Sequence, residues 1–130
     1  MVGLEPEDTA ATRPCILIVE DELLTRIAAA EFLRDCGFTV IEAANAEEAR
    51  LVVASRAYVD LVFTDIQMPG DMDGRSLAGW LAREKPRLPV ILTSARLEGD
   101  AASRGQRRFV RKPYRLSDIE KQIRELLGQS

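Results

Sequence analysis

The sequence alternates between short strand-like runs and longer helix-like stretches, and this alternation restricts the possible folds more than any other feature. The strand-like runs are rich in Val, Ile, Leu and Phe, and they begin near Cys15, Phe38, Tyr58, Leu88 and Arg108. Apolar residues at helical spacing fill the stretches between them. Because strands that alternate with helices pair in parallel through right-handed crossovers, we predict an α/β domain with a five-stranded parallel sheet and helices on both faces.

Capping signals mark the ends of the first two predicted helices. The first runs from about Glu22 to Cys36 and stops at Gly37, a residue type favoured just after a helix. The second opens at Asn45, and Glu48 three residues later completes a capping box.

The third helix is predicted after Gly74 and ends at Lys85, before Pro86. The last opens with a second predicted capping box, Ser117 to Glu120. The apolar stripes of these helices are predicted to pack in the core: Leu23, Leu24, Ile27, Ala28 and Leu33 on the first, Leu77, Trp80 and Leu81 on the third, and Ile119, Ile123 and Leu126 on the last. Between them, residues 96–107 hold two glycines and few apolar residues, so the fourth helix is expected to be short or irregular.

Length and composition favour one cytoplasmic domain. The chain has 130 residues, which suits a single domain predicted over residues 14–127, with a flexible tail at 1–13, a short tail at 128–130 and no output domain. The net charge of −3 and the lack of a long apolar run give no reason to expect a nucleic-acid or membrane partner. Two cysteines without a secretion signal are predicted to be reduced thiols. Histidine is absent, which excludes histidine catalysis and histidine metal ligation by this chain.

Several chemically useful side chains lie where the predicted strands end. Glu20 and Asp21 follow the first strand, Asp65 ends the third, Thr93 lies at the end of the fourth and Lys112 follows the fifth. The carboxyl ends of parallel strands form the ligand-binding edge of such sheets, so these groups should meet there. Three adjacent carboxylates repel one another unless a lysine and a cation neutralise them. Oxygen ligands favour Mg²⁺, and an aspartate beside it could accept a phosphoryl group.

Each of these residues also has an ordinary structural explanation. Glu20 and Asp21 could simply favour the start of a helix, and Thr93 suits any strand. Lys112 could be one solvated charge among the basic residues of 104–115. The combination of all five residues at strand ends favours the phosphoryl-acceptor site.

Four segments resemble the receiver domain of two-component response regulators: IVEDE at 18–22, TDIQMPGDMDG at 64–74, LTSA at 92–95 and FVRKPY at 109–114. The resemblance spans about residues 14–127 and implies a flavodoxin-like (βα)5 fold with sheet order 2-1-3-4-5. It implies that Asp65 accepts a phosphoryl group from a sensor histidine kinase or a histidine phosphotransfer protein. The phosphorylated surface would then act on a downstream protein target.

The resemblance also implies a metal site. Asp21 and Asp65 would ligate Mg²⁺ directly and Glu20 through water. The backbone carbonyl of Gln67 would complete the protein ligands.

Further roles follow from the same resemblance. Thr93 would hydrogen-bond the phosphoryl group, Lys112 would pair with it, and Phe109 would be the aromatic switch that turns inward as Thr93 moves. Gln67 and Ala95 occupy positions that tune self-dephosphorylation in the family.

Two departures from the family pattern affect the rim and the output face. The turn at 68–74 carries one extra residue, and Asp71 there could reshape the rim of the site. The stretch from Thr93 to Lys112 is shorter than usual, which leaves open whether the chain is a monomer or a phosphorylation-dependent dimer. In many relatives the output face, made by the fourth helix, fifth strand and fifth helix, binds the target or dimerises. The arginines of this face could instead bind an acidic partner.

Other functions fit the sequence less well. A phosphatase of the haloacid dehalogenase type needs an acid where Gln67 stands, and no P-loop is present. In a dinucleotide fold Glu20 and Asp21 would repel the pyrophosphate. A calcium loop in the turn would put Pro69 first and Trp80 twelfth, where ligands are needed. No DNA-binding motif appears. The remaining alternative is a pseudo-receiver that binds protein partners without phosphorylation.

Overall fold

The computed structural model describes residues 13–55, 58–67, 73–95 and 107–128. Five strands and four helices lie within these ranges: β1 (Cys15–Val19), α1 (Leu23–Asp35), β2 (Thr39–Ala43), α2 (Ala46–Ala54), β3 (Leu61–Asp65), α3 (Gly74–Glu84), β4 (Val90–Ser94), β5 (Arg107–Arg111) and α4 (Leu116–Leu126). Three predictions concern residues that lie almost wholly outside the described ranges: the irregular helix before β5, the extra residue of the 68–74 turn, and the two tails. The helix named α4 is therefore the last helix predicted from sequence.

The five strands form one parallel sheet in the order β2-β1-β3-β4-β5, which confirms the predicted fold class. Strands β1, β3 and β4 are buried along their whole length, because helices cover both faces of the sheet. The edge strands β2 and β5 are only partly buried. The order of the strands reverses between β1 and β3, so the carboxyl ends of these two strands flank the crevice where such sheets bind ligands.

Alternation along β1 divides the core into two layers. Leu17 and Val19 point to the face covered by α2 and α3, whereas Ile16 and Ile18 point to the face covered by α1 and α4. The main helical contributors are Ala46, Ala49, Val53, Leu77, Ala78 and Leu81 on the first face and Ala29, Ala30, Leu33, Ile119 and Ile123 on the second. These two layers fix the strand ends relative to one another.

The first three helices begin and end close to the predicted positions. Glu22 caps α1 through its side chain, and Gly37 follows the helix with a φ of +100°, which favours glycine. Asn45 caps α2 by accepting a hydrogen bond from the Glu48 N–H. The Glu48 side chain accepts from the N–H of Ala44, one residue before the cap, so the capping box is shifted by one position.

The predicted capping box of the last helix is wrong. Helix α4 begins at Leu116, with Arg115 at the N-cap position and no side-chain hydrogen bond to the helix. The carbonyl oxygen of Arg115 accepts from the N–H groups of Asp118 and Ile119. Starting the helix two residues earlier, with the N-cap at Arg115 instead of Ser117, places Leu116 against the core, which stabilises the helix start in place of a side-chain cap.

The predicted apolar stripe of α1 is also largely wrong. Leu23, Leu24 and Ile27 are 54%, 72% and 37% exposed, and Ala28 is exposed too, while Leu33 is buried as predicted. The face that packs on the sheet is made instead by Ala29, Ala30 and Leu33. Nine residues separate Leu24 from Leu33, and at about 100° per residue this puts the two on opposite sides of the helix.

Candidate functional site

Three carboxylates meet at the carboxyl ends of β1 and β3. Oxygens of Glu20, Asp21 and Asp65 all lie within 4.8 Å of one another. Glu20 and Asp65 are each only 7% exposed, whereas Asp21 is exposed. The structure thus brings together the three acids that the sequence placed at strand ends. An all-oxygen set of this kind, open to solvent on one side, fits Mg²⁺, which prefers carboxylates and keeps several waters.

Both oxygens of Asp65 are held by donors. The Lys112 ammonium Nζ lies 2.6 Å from Asp65 Oδ2, and the Gln67 N–H donates to Oδ1 at 3.1 Å. Lys112 reaches the site from the segment after β5, across β4. Gln67 therefore approaches Asp65 through its N–H in this structure, whereas the resemblance assigns a role to its carbonyl.

The charges of the cluster shift two pKa values. Burial raises the pKa of Glu20, and the neighbouring carboxyls of Asp21 and Asp65 raise it further; the hydrogen bond from the Glu22 N–H and the charge of Lys112 act in the opposite direction. Burial alone would lower the pKa of Lys112, but the hydrogen bond and charge of Asp65, with the charge of Glu20, raise it overall. Lys112 is therefore cationic at neutral pH and neutralises part of the acidic cluster.

Thr93 lies directly beside Asp65. It is opposite Asp65 in the β3–β4 register, is only 2% exposed, and accepts a hydrogen bond from the Ile66 N–H at its carbonyl. Phe109 is half-buried on β5, opposite Leu92, and packs against the α2–α3 side of the core. The structure therefore places Thr93 at the site and Phe109 one strand further away. Ala95 is exposed after β4.

The start of α3 contacts the backbone of Asp65 and Ile66 closely. The N–H of Gly74 donates to the carbonyl of Ile66 at 2.8 Å. A Cβ at position 74 would overlap the carbonyl oxygen of Asp65 and lie 2.7 Å from Ile66 Cα. Only glycine allows this close approach, so the helix start fixes the backbone behind Asp65.

Two residues near the site were not found from the sequence. Tyr114 lines a small cavity of about 10 Å³ with Glu20, Asp65 and Thr93, and its ring makes an edge contact with Phe63. Burial raises the pKa of Tyr114, with Lys112 acting against and the acids adding to the shift. In the sequence Tyr114 ends the FVRKPY segment, two residues after Lys112, but no role was predicted for it. The other residue, Arg26, has its side chain 15% exposed and donates to the Glu20 carbonyl at 2.8 Å.

The comparisons with known proteins agree with this fold and site. The response regulator receiver domain family matches residues 16–124. The chain is 33% identical over 124 residues to the transcriptional regulatory protein PdtaR of Mycobacterium tuberculosis, a match that covers 92% of this chain and 59% of PdtaR. The chain therefore spans less than two thirds of that relative.

Solved structures of receivers are similar over almost their whole length. The response regulator TrrA of Thermotoga maritima, solved with Mg²⁺-BeF, superposes with a TM-score of 0.77 at 28% identity, covering 87% of this chain and 98% of that one. The receiver domain of NtrX from Brucella abortus superposes with a TM-score of 0.75 at 31% identity, covering 88% and 99%.

This chain belongs to the receiver domain family of two-component response regulators, as the resemblance of its motifs predicted. Receiver domains in general are phosphorylated on an aspartate, bind Mg²⁺ at an acidic pocket and interact with histidine kinases and downstream effectors. Across the described ranges, the helices are too short or too polar to cross a membrane.

Proposed function

We propose that this receiver accepts a phosphoryl group on Asp65 in a Mg²⁺-dependent reaction and thereby changes its surface for a downstream protein. The observation that carries the proposal is the convergence of Glu20, Asp21 and Lys112 around the buried Asp65. A buried carboxylate surrounded by two further acids and one lysine is costly unless a cation binds. The donor would be a histidine kinase or a histidine phosphotransfer protein.

Asp21 and Asp65 would hold Mg²⁺ directly, Glu20 through water, and the Gln67 carbonyl would complete the protein ligands. When bound, the ion supplies positive charge for the phosphoryl oxygens. The exposure of Asp21 leaves that side of the cluster open to an incoming donor. Glu20, buried and with a raised pKa, gains a counter-charge when the ion binds.

In the transfer step, a carboxylate oxygen of Asp65 forms a bond to phosphorus while the P–N bond of the donor's phosphohistidine breaks. The electron pair of that bond stays on the imidazole nitrogen, which takes up a proton. The Lys112 ammonium contacts the Asp65 carboxylate, so it lies close enough to pair with a phosphoryl oxygen once the group is attached. The hydroxyl of Thr93, on the adjacent strand, would donate to another.

The switch follows from the same contacts. As Lys112 and Thr93 turn towards the phosphoryl group, the ends of β4 and β5 that carry them would move together. Phe109, which is half-buried on β5, would pack more deeply as Thr93 shifts. The output is a population shift between two arrangements of this surface.

The exposed apolar residues of α1 support docking of a donor protein next to the site. Leu23, Leu24 and Ile27 begin two residues after Asp21, so a partner that brings phosphohistidine to Asp65 would also cover them. The free thiols of Cys15 and Cys36 are consistent with a reducing compartment such as the cytoplasm. The single-domain arrangement and the state as monomer or phosphorylation-dependent dimer stay predictions.

Intact-mass analysis after incubation with acetyl phosphate tests the proposal. Wild-type protein should gain the mass of one phosphoryl group with Mg²⁺ but not with EDTA, and Asp65→Asn should gain none. Asp60→Asn, which changes an aspartate at the opposite end of β3, is the matched control and should label like the wild type. Equal labelling of Asp65→Asn would refute the assignment of the acceptor.

Some receivers do not react with small phosphoryl donors, and others hydrolyse the aspartyl phosphate too quickly for it to be detected. Binding of the phosphoryl mimic beryllofluoride tests the site in both cases. Wild-type protein should bind beryllofluoride with Mg²⁺, and Asp65→Asn should not. Failure of both assays on the wild type would contradict phosphoryl acceptance and leave a phosphorylation-independent binding module.

A further inference from the structure

Arg26 connects the acidic loop to the edge of the sheet. It lies on the second turn of α1, and its Nη1 donates to the carbonyl oxygen of Glu20 at 2.8 Å. Its Nε donates to Glu42 Oε1 on β2 at 3.3 Å. The side chain is only 15% exposed. A charged, partly buried side chain thus spans from the loop that carries Glu20 and Asp21 to a neighbouring strand.

The carbonyl of Glu20 lies where the strand ladder ends. The Glu20 N–H still pairs with the carbonyl of Ala43, the last residue of β2, at 3.0 Å. Beyond that pair β2 provides no further N–H group, and the carbonyl of Glu20 pairs with Arg26 instead. Buried backbone groups need a partner, so loss of the guanidinium would make this loop rearrange to find one.

The same peptide unit controls the direction of Asp21. The Glu20 carbonyl, the Asp21 nitrogen and the Asp21 Cα lie in one rigid plane. Fixing the carbonyl therefore fixes where the side chain of Asp21 leaves the backbone, relative to Asp65. The Glu20 carboxylate accepts a hydrogen bond at 3.0 Å from the N–H of Glu22, two residues further along the chain.

We propose that Arg26 is a positioning residue for the metal site: it holds the Glu20–Asp21 peptide so that both acids face Asp65. This inference rests on the proposed function of these three acids as the Mg²⁺ site. Glu42 Oε1 orients Arg26 in turn. The other oxygen of Glu42, which does not contact Arg26 Nε, accepts from Arg34 Nη1 at 3.3 Å. Partners that orient metal ligands in this way commonly affect metal affinity by about 10-fold to 100-fold.

The sign of the effect separates positioning from simple electrostatics. Arg26 is a cation near a cation site, so its charge alone opposes Mg²⁺ binding, and removal of the charge would tighten binding. Positioning predicts the opposite, because the loop loses its hydrogen bond. Arg26→Gln is a suitable variant: its amide nitrogen stands where Nε stands in arginine, near Glu42, but no donor remains at the position of Nη1.

Arg34 provides the matched control. It pairs with the same Glu42 carboxylate, but its Nη2 donates to the Val40 carbonyl in the middle of β2, away from the acids. Arg34→Gln therefore removes an equal charge and one contact to Glu42 without touching the acidic loop.

The test is Mg²⁺ titration by isothermal calorimetry on the wild type, Arg26→Gln, Arg26→Lys and Arg34→Gln. Arg26→Gln should weaken Mg²⁺ binding about 10-fold or more. Arg26→Lys, which keeps a donor able to reach the carbonyl, should recover much of the loss, and Arg34→Gln should bind like the wild type. Urea denaturation in Mg²⁺-free buffer shows which variants are folded. If Arg26→Gln does not fold, the comparison of Arg26→Lys with Arg34→Gln decides. Mg²⁺ binding weaker than that of the wild type is then expected only for Arg26→Lys.

The outcomes separate the two proposals. Three outcomes would overturn the positioning role of Arg26. The first is unchanged or tighter Mg²⁺ binding by Arg26→Gln, and the second is equal weakening by Arg34→Gln. The third is that folded Arg26→Lys binds Mg²⁺ no better than folded Arg26→Gln. A wild-type protein that binds no Mg²⁺ would overturn the proposed metal site and the positioning role together.

Discussion

At the scale of single residues, the ion pair between Lys112 and Asp65 sets the charge of the site before any ligand arrives. The 2.6 Å contact places an ammonium against the carboxylate that would also ligate Mg²⁺. Lysine and metal ion would therefore share one carboxylate, and their charges would repel. The pair therefore gives the buried Asp65 side chain a direct cationic partner.

The repulsion between Lys112 and Mg²⁺ predicts the effect of Lys112→Gln. We expect the variant to bind Mg²⁺ about threefold more tightly than the wild type, because a partly exposed cation contributes repulsion of only this size after screening. Its beryllofluoride affinity should fall, since a donor to the phosphoryl mimic is lost. Calorimetric titration measures both, and Lys121→Gln on the exposed side of α4 is the control. Weaker Mg²⁺ binding by Lys112→Gln would contradict this repulsion.

Glu20 makes the stability of the metal-free protein depend on pH. Burial raises its pKa, so the folded protein still holds the proton at pH values where the unfolded chain has lost it. Stability therefore falls as pH rises from the ordinary carboxyl range through the raised pKa of Glu20, and the loss persists at neutral pH.

Glu20→Gln should remove this loss. The amide oxygen can still accept from the Glu22 N–H, but no buried charge forms. In EDTA at neutral pH we expect a higher urea midpoint than for the wild type, with no difference in acid. The control Glu125→Gln changes an exposed carboxylate of α4. A lower midpoint for Glu20→Gln at neutral pH would show that burial does not dominate.

At the scale of elements, the contact between the start of α3 and the end of β3 controls the backbone of Asp65. Gly74 belongs to the turn that follows Asp65, and its N–H bonds the Ile66 carbonyl. Asp73 caps the same helix by accepting from the Ser76 N–H at 2.9 Å. Helix start and strand end therefore form one rigid unit beneath the site.

Gly74→Ala should disturb this unit. The new methyl group would overlap the carbonyl of Asp65, so we expect a loss of about 1–3 kcal/mol in the free energy of unfolding. Gly79→Ala in the same helix is the control: its Cβ would meet only Arg83 Nη1 at 3.7 Å, and removal of a mid-helix glycine should stabilise by about 0.5–1 kcal/mol. Equal effects of the two substitutions in urea denaturation would reject the close-contact explanation.

The elements also show what could be predicted from sequence. The parallel sheet and the meeting of Glu20, Asp21, Asp65, Thr93 and Lys112 followed from the βα alternation, because parallel strands bring their carboxyl ends to one edge. The strand order followed from the resemblance of the motifs to receiver domains. The start of α2 was predicted as well, because a local hydrogen bond between Asn45 and Glu48 decides it. Features set by neighbouring residues or by strand pairing were therefore accessible.

Features set by tertiary packing were not accessible. The apolar spacing on α1 suggested Leu23, Leu24 and Ile27 for the core, but the small side chains of Ala29 and Ala30 pack on the sheet instead. The periodicity of apolar residues does not show which side of a helix is covered when both sides carry them. Contacts between distant side chains and backbone, such as Arg26 with Glu20 and Glu42, have no separate sequence signal.

At the scale of the whole molecule, the acidic site joins segments that are far apart in the chain. Glu20 and Asp21 follow β1, Asp65 ends β3, and Lys112 follows β5. These groups come together only in the folded sheet, so the unfolded chain offers no comparable site for a metal ion. Binding of Mg²⁺ should therefore stabilise the fold by mass action.

Thermal unfolding with and without Mg²⁺ measures this coupling. At a free Mg²⁺ concentration about 100-fold above the dissociation constant, we expect about 2.7 kcal/mol of added stability, or a Tm higher by about 10 °C for a domain of this size. Asp65→Asn removes one ligand charge and should lose most of the shift. Asp60→Asn should keep it, because Asp60 lies at the other end of β3, where its side chain accepts from the Cys15 N–H. A site that includes Asp65 must lose affinity for Mg²⁺ when this carboxylate is replaced. An equal Tm shift in Asp65→Asn would therefore mean that Mg²⁺ stabilises the protein by binding elsewhere.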